Sequence, residues 1–228
     1  MILKLLPVLL AVGYALMMMY FSVWRTRKML TERSTPLTDP AITALVARLA
    51  RAQDVDHIPV RVFEVEPVNG LAAPDGRIFL TRGFLNRRQR GEVSNEELAA
   101  VIAHELGHVA LGHSRRRMID FTGQNAVFML LTALLSRFLP IVGPWIASLV
   151  ATALAARLSR RDEFEADAYA SALLIKSGIG TAPQKSLFDK LERMTGAGGM
   201  PAWLMSHPSS AERIAAIETN ERRWLQPA

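Results

Sequence analysis

The sequence has no cysteine. That excludes a disulfide framework and a thiolate metal site, so any bound metal ion must be held by His, Asp or Glu. It has no solenoid-type internal repeat and no low-complexity tract, which excludes repeat arrays. Half of its 228 residues are apolar. A disordered chain is thereby excluded, and the length suits one domain with a sizeable core, or a small domain plus membrane segments. Acidic residues do not offset the basic ones: the formal net charge is +6, with clusters at Arg87, Arg88 and Arg90, at Arg115 to Arg117, and at Arg160 and Arg161. Such clusters suit acidic lipid headgroups or nucleic acid, or simply a solvated surface. No nucleic-acid-binding module accompanies them, so no nucleic-acid partner is expected.

Charge is also missing from Leu5 to Trp24, twenty consecutive residues, close to the ~20 that a helix needs to cross the hydrocarbon core. No Ala-x-Ala-like cleavage site follows, which argues against a removed signal peptide. Tyr20, Phe21 and Trp24 crowd one end, where aromatic rings prefer the interface, and Arg25, Arg27, Lys28 and Arg33 come next. The expectation is a single-pass N-terminal anchor in a membrane, in a bacterial cell the inner one, with everything after Trp24 on the cytoplasmic side. Residues 1–28 are read as anchor and basic flank, 29–40 as a polar, proline-bearing linker, and 41–228 as one domain.

Within that domain, Leu45, Val46 and Leu49 have helical spacing, and Val60, Val62 and Val65 alternate with Arg61 and Glu64 as in a half-buried strand. Pro74-Asp75-Gly76 is turn chemistry, and Arg77 to Thr81 reads as a short strand. After Asn95 everything reads as helix. The expected fold class is α+β, mainly helical, with a sheet of two or three strands and one transmembrane helix in front.

The chemistry concentrates in "VIAHELGHVALGH". Ser94-Asn95-Glu96-Glu97 supplies a helix cap with acids in the first turn, so the motif lies on a helix. At about 100° per residue, His104 and His108 fall about 40° apart and can turn their imidazoles to one metal ion, with Glu105 on the flank to take a proton from bound water. Two histidines and a glutamate buried in so apolar a stretch would be costly without a metal. His113 lies nine residues after His104, about 180° around the helix, and is expected to cap or hydrogen-bond locally. A third ligand is still needed if a fourth position is to stay open for water. Glu163 and Asp167, four apart in "SRRDEFEADAYA", share a helix face. They either complete the site, with Glu163 on the metal and Asp167 behind a ligand histidine, or form a solvated acidic face.

His104-Glu105-x-x-His108 followed by Ser159-Arg160-x-x-Glu163-x-x-Ala166-Asp167 resembles the HtpX-type and CAAX prenyl endopeptidase-type zinc metalloproteases, gluzincins with a zincin-like domain. "NGLAAPDGRIFLTRGFL" resembles the segment that precedes their metal helix, and "HPSSAERI" resembles their C-terminal element. The resemblance spans Asn69 to Ile214. It implies a membrane-anchored metalloendopeptidase in membrane or misfolded-protein quality control, holding one Zn2+ per chain on His104, His108 and Glu163. It implies Glu105 as catalytic base, Asp167 as the partner behind a ligand, and His207 or Arg213 as oxyanion donor, although His207-Pro208 equally suits a helix-entry turn. It also implies an edge strand, Asn69 with Arg77, Ile78, Phe79, Leu80 and Thr81, that holds extended peptide substrate. The competing expectation is a non-hydrolytic membrane adaptor or chaperone that keeps the fold; the intact motif disfavours it.

Residues 126–158 are strongly apolar, interrupted by Arg137 and Arg157, with Pro140, Gly143 and Pro144 at the middle. If His104, His108 and Glu163 meet on one side, the number of crossings between them is even. Two spans need about 40 residues plus a turn, and the segment has 33. The expectation is two shorter helices packed on the domain or dipping into the cytoplasmic leaflet, with a transmembrane hairpin as the lesser alternative.

Overall fold

A computed structural model describes residues 2–73, 75–195 and 209–225. The side chains of residues 2–12, 15, 19, 114, 115, 117–124, 126, 194 and 195 fall outside that description. In chain order the elements are α1 (Ile2–Glu32), β1 (Ser34–Pro36), α2 (Pro40–Ala52), β2 (Val60–Phe63), β3 (Gly70–Ala72), β4 (Ile78–Thr81), α3 (Arg82–Gln89) and α4 (Asn95–Ala110). Then follow α5 (His113–Phe138), α6 (Gly143–Lys176), α7 (Ala182–Thr195) and α8 (Ser210–Leu225). The chain is α+β and mainly helical, as expected.

The sheet has four strands in the order β1-β2-β4-β3, where the pattern suggested two or three. β1 runs antiparallel to β2, β2 parallel to β4, and β3 antiparallel to β4. One strand not named from the sequence, β1, arises in what read as linker. Ser34 to Pro36 pair with Arg61 to Phe63, Leu30 at the end of α1 is buried with Ala73 and Phe79, and Asp39 caps α2 by accepting the N–H groups of Ala41 and Ile42. Residues 30–39 are thus part of the fold.

Helix α4 is the centre of the molecule. Ser94 and Glu97 close a reciprocal cap: the Glu97 N–H donates to Ser94 Oγ at 3.1 Å and the Ser94 N–H donates to the Glu97 carboxylate at 2.7 Å. Every residue from Glu97 to His108 is buried, as in a helix enclosed on all sides by other elements. The buried Glu97 carboxylate is satisfied by Ser186 Oγ and Lys190 Nζ of α7. Against α6 the approach is backbone to backbone: a Cβ on Gly107 would lie 2.9 Å from the Ala166 carbonyl oxygen. That contact lays the Glu163-to-Asp167 turn of α6 directly on the His104-to-His108 turn of α4.

The apolar segment 126–158 does not form two short separate helices. It is the far end of two long helices, α5 of 26 residues and α6 of 34, which run together as an antiparallel arm. Met129, Leu130, Ile141, Trp145 and Leu149 on this arm are 70, 71, 83, 76 and 71% exposed. Among the described residues no helix is long and apolar enough to cross a membrane. The expected span from Leu5 to Trp24 therefore lacks support from the fold, and its first eight side chains lie outside the described residues.

Candidate metal centre

His104 and His108, one turn apart on α4, meet Glu163 of α6. The two Nε2 atoms are 3.1 Å apart; His104 Nε2 lies 3.3 Å from Glu163 Oε2, and His108 Nε2 lies 3.5 Å from Glu163 Oε1. All three residues are buried. Tetrahedral zinc with ligand distances near 2.0–2.2 Å requires donor atoms about 3.3 Å from one another. The observed separations fit, and a two-nitrogen, one-carboxylate set leaves a fourth position for water.

Each histidine has a partner behind it. His104 Nδ1 lies 2.9 Å from Asp167 Oδ1, and with Nε2 turned to the centre, Nδ1 carries the hydrogen and donates. Asp167 in turn accepts Arg213 Nε and Nη2, each at 2.6 Å, in a bidentate pair sealed by Phe188, whose ring centroid is 4.0 Å from the Arg213 guanidinium carbon. Burial disfavours the charged imidazole of His104, but the Asp167 and Glu163 carboxylates outweigh it and raise its pKa to about 9. Burial likewise opposes the charge on Asp167, but Arg213 and His104 hold its carboxyl down at about 2. The same negative field that favours a proton on His104 favours a divalent cation.

His108 is backed differently. Its Nδ1 lies 2.8 Å from His113 Nδ1. His113 Nε2 faces Glu165 at 3.3 Å and Asp162 at 3.9 Å, and Arg116 Nη1 donates to Glu165 at 2.6 Å and to Asp162 at 3.1 Å. His113 does bond locally, but to a ligand candidate. Helical spacing missed this because α4 ends at Ala110 and His113 opens a new helix folded back on it.

Glu105 is buried beside the pair, under β3. A Cβ on Gly70 would come within 2.6 Å of Val101 Cγ1 and 3.2 Å of Glu105 Oε1, so only glycine lets the strand lie this close to the helix. Here the expected substrate strand needs correction. β4, Ile78 to Thr81, pairs with β2 on one side and β3 on the other, so both of its backbone edges are taken, and Arg77 is held by Asp75. The strand at the end of the sheet beside α4 is β3. Asn69 stands at its head, its N–H donating to Thr81 Oγ1 and its Oδ1 buried with no hydrogen-bond partner among the described residues. Arg213, expected as an oxyanion donor, gives its Nε and Nη2 to Asp167 and brings Nη2 within 3.3 Å of His104 Nδ1. His207 lies outside the described residues.

The sequence profile of Peptidase family M48 matches residues 36–221. The chain is 29% identical to the metalloprotease LoiP of Escherichia coli (strain K12), over 77% of this chain and 68% of that protein. It is 30% identical to the metalloprotease YcaL of the same organism, over 75% of this chain and 67% of that protein. It is 26% identical to the human mitochondrial metalloendopeptidase OMA1, over 70% of this chain but 31% of that protein.

Proposed function

The chain belongs to peptidase family M48 and is a metalloendopeptidase, and on that premise we propose how its residues divide the reaction. One zinc ion per chain is held by His104, His108 and Glu163; the observation that carries this is that the two histidine Nε2 atoms lie 3.1 Å from each other and 3.3 and 3.5 Å from the two Glu163 carboxylate oxygens, all three residues being buried. Zinc bound there supplies Lewis-acid polarisation of the scissile carbonyl and a water of lowered pKa. Glu105 is the base: it takes the proton from the attacking water and returns it to the leaving amine. Asp167 and Arg213 hold His104 in the tautomer that points its Nε2 lone pair at the ion.

Extended peptide substrate is held along the outer edge of β3, next to Glu105, in place of the inner strand Arg77 to Thr81. Main-chain pairing at a sheet edge gives affinity with little sequence selectivity. Residues 5–24 tether the enzyme to a membrane, and the apolar arm of α5 and α6 rests on the same lipid surface. Broad selectivity beside a membrane suits the removal of misfolded or membrane proteins.

The test is Glu105→Gln in a casein-type proteolysis assay with zinc analysis. Activity should fall by at least the 10²–10⁴-fold typical of general-base catalysis, with zinc remaining at about one per chain. Substantial hydrolysis by that variant would rule Glu105 out as the base.

A further inference from the structure

The hydrolytic scheme leaves a second polar cluster unused: buried His113 and Asp162 with the partly exposed Glu165 and Arg116, on the far side of His108 from the centre. Three of its members, His113, Asp162 and Glu165, have ligand atoms close enough together to hold a metal ion. The place of a cation is already held, however. Arg116 Nη1 sits 2.6 Å from Glu165 and 3.1 Å from Asp162, Arg161 Nε adds a third ion pair at 2.8 Å, and His113 turns its other nitrogen to His108. What the cluster does is fix an imidazole.

We propose that His113 is the positioning residue for His108, a neutral imidazole relay that ties the second histidine ligand to the Glu165 carboxylate. The inference rests on the assignment of His108 as a ligand through Nε2. If Nε2 offers its lone pair to the metal, the ring hydrogen of His108 is on Nδ1. The partner 2.8 Å away is His113 Nδ1, and one of two facing ring nitrogens must accept, so His113 Nδ1 is the acceptor. The hydrogen of His113 then lies on Nε2, where it donates to Glu165 at 3.3 Å. Donor and acceptor roles are consistent at every step and end on a carboxylate anchored by Arg116. The spacing makes this possible: α4 ends at Ala110, and the turn through Leu111 and Gly112 (φ 66°) folds the first residue of α5 back over His108. The two ligand histidines are therefore supported unequally, His104 by a carboxylate directly and His108 by a carboxylate through one imidazole.

The test uses the full-length protein in detergent, titrated with zinc against a competing chelator. His113→Leu removes the acceptor while keeping an apolar body, and His113→Asn returns an oxygen at the position of Nδ1. Loss of an outer partner of a metal ligand typically costs 10–100-fold in metal affinity, so His113→Leu should bind zinc 10–100-fold more weakly and His113→Asn within a few-fold of wild type. A purely structural role predicts equal losses in both variants, and that result would overturn the relay, as would wild-type affinity in His113→Leu. Should the leucine variant fail to fold, 15N imidazole shifts of the zinc-loaded wild type decide: His113 must be unprotonated at Nδ1 and protonated at Nε2, and the opposite tautomer refutes the relay. Wild-type protein that takes up no zinc at all would sink the ligand assignment with it, whereas normal wild-type uptake with an unaffected leucine variant would sink the relay alone.

Discussion

Asp167 carries two obligations at once, holding the Nδ1–H of His104 and neutralising Arg213 inside the protein. Replacing it with Asn keeps the shape and removes the charge. The guanidinium, about 1% exposed, is then left without its counter-charge, and breaking a buried pair by removing one partner costs about 3–5 kcal/mol. Asp167→Asn should therefore lower stability by that order in denaturant unfolding and weaken zinc binding 10–100-fold in chelator competition; unchanged stability would show that the pair contributes little. At this scale the sequence was informative where chemistry depends on spacing along one helix. His104, Glu105 and His108, and the pair Glu163 and Asp167, are each legible from steps of one and four. Arg213 behind Asp167 and His113 behind His108 were not, because their positions depend on how α8 and α5 fold back. A histidine five residues after a ligand histidine, across a glycine, was the available signal for the second.

The elements were legible in proportion to their length. Helix α2 showed through Leu45, Val46 and Leu49, and α4 through its cap at Ser94. Strands β1 and β3, three residues each, are too short to display a period-2 pattern, so β1 read as linker and β3 was not read as a strand. Asp39 ties β1's neighbourhood to the core, capping α2 while accepting Arg88 Nη1 at 2.6 Å. Burial pushes the Asp39 carboxyl up, but the Ile42 N–H, Arg88 and the Ala41 N–H outweigh it and hold it below its usual 3.8. A folded-state pKa depressed below the unfolded one adds stability above the unfolded value and loses it as pH falls through the folded value. Asp39→Asn keeps a capping oxygen and loses the ion pair. It should cost about 0.2–1 kcal/mol at neutral pH, the range for partly exposed pairs, and the difference from wild type should shrink as pH drops below 3.8. A constant difference across that range of thermal melts would assign the effect to the cap instead.

At the scale of the whole molecule, two apolar surfaces extend from the catalytic body, α1 with Tyr14, Tyr20, Phe21 and Trp24 exposed and the α5–α6 arm with Ile141 and Trp145 at its turn. The sequence marked both as apolar, but periodicity does not distinguish an arm from a core hairpin; the arm shows only because α5 and α6 continue past the site. Because Leu30 and Thr31 belong to the fold, a truncation that tests the proposed anchor is best made before Arg25. The resulting protein should still partition onto anionic vesicles more than neutral ones, and added salt should weaken it, since buried apolar area and basic residues act together. A truncated protein that ignores vesicles would assign lipid contact to α1 alone. Everything argued for catalysis depends on which cluster takes the ion. Crystals of zinc-loaded Glu105→Gln protein, measured on both sides of the zinc absorption edge, should give one anomalous peak per chain between His104 Nε2, His108 Nε2 and the Glu163 carboxylate. A peak among His113, Asp162 and Glu165, with none between the two α4 histidines, would contradict the account.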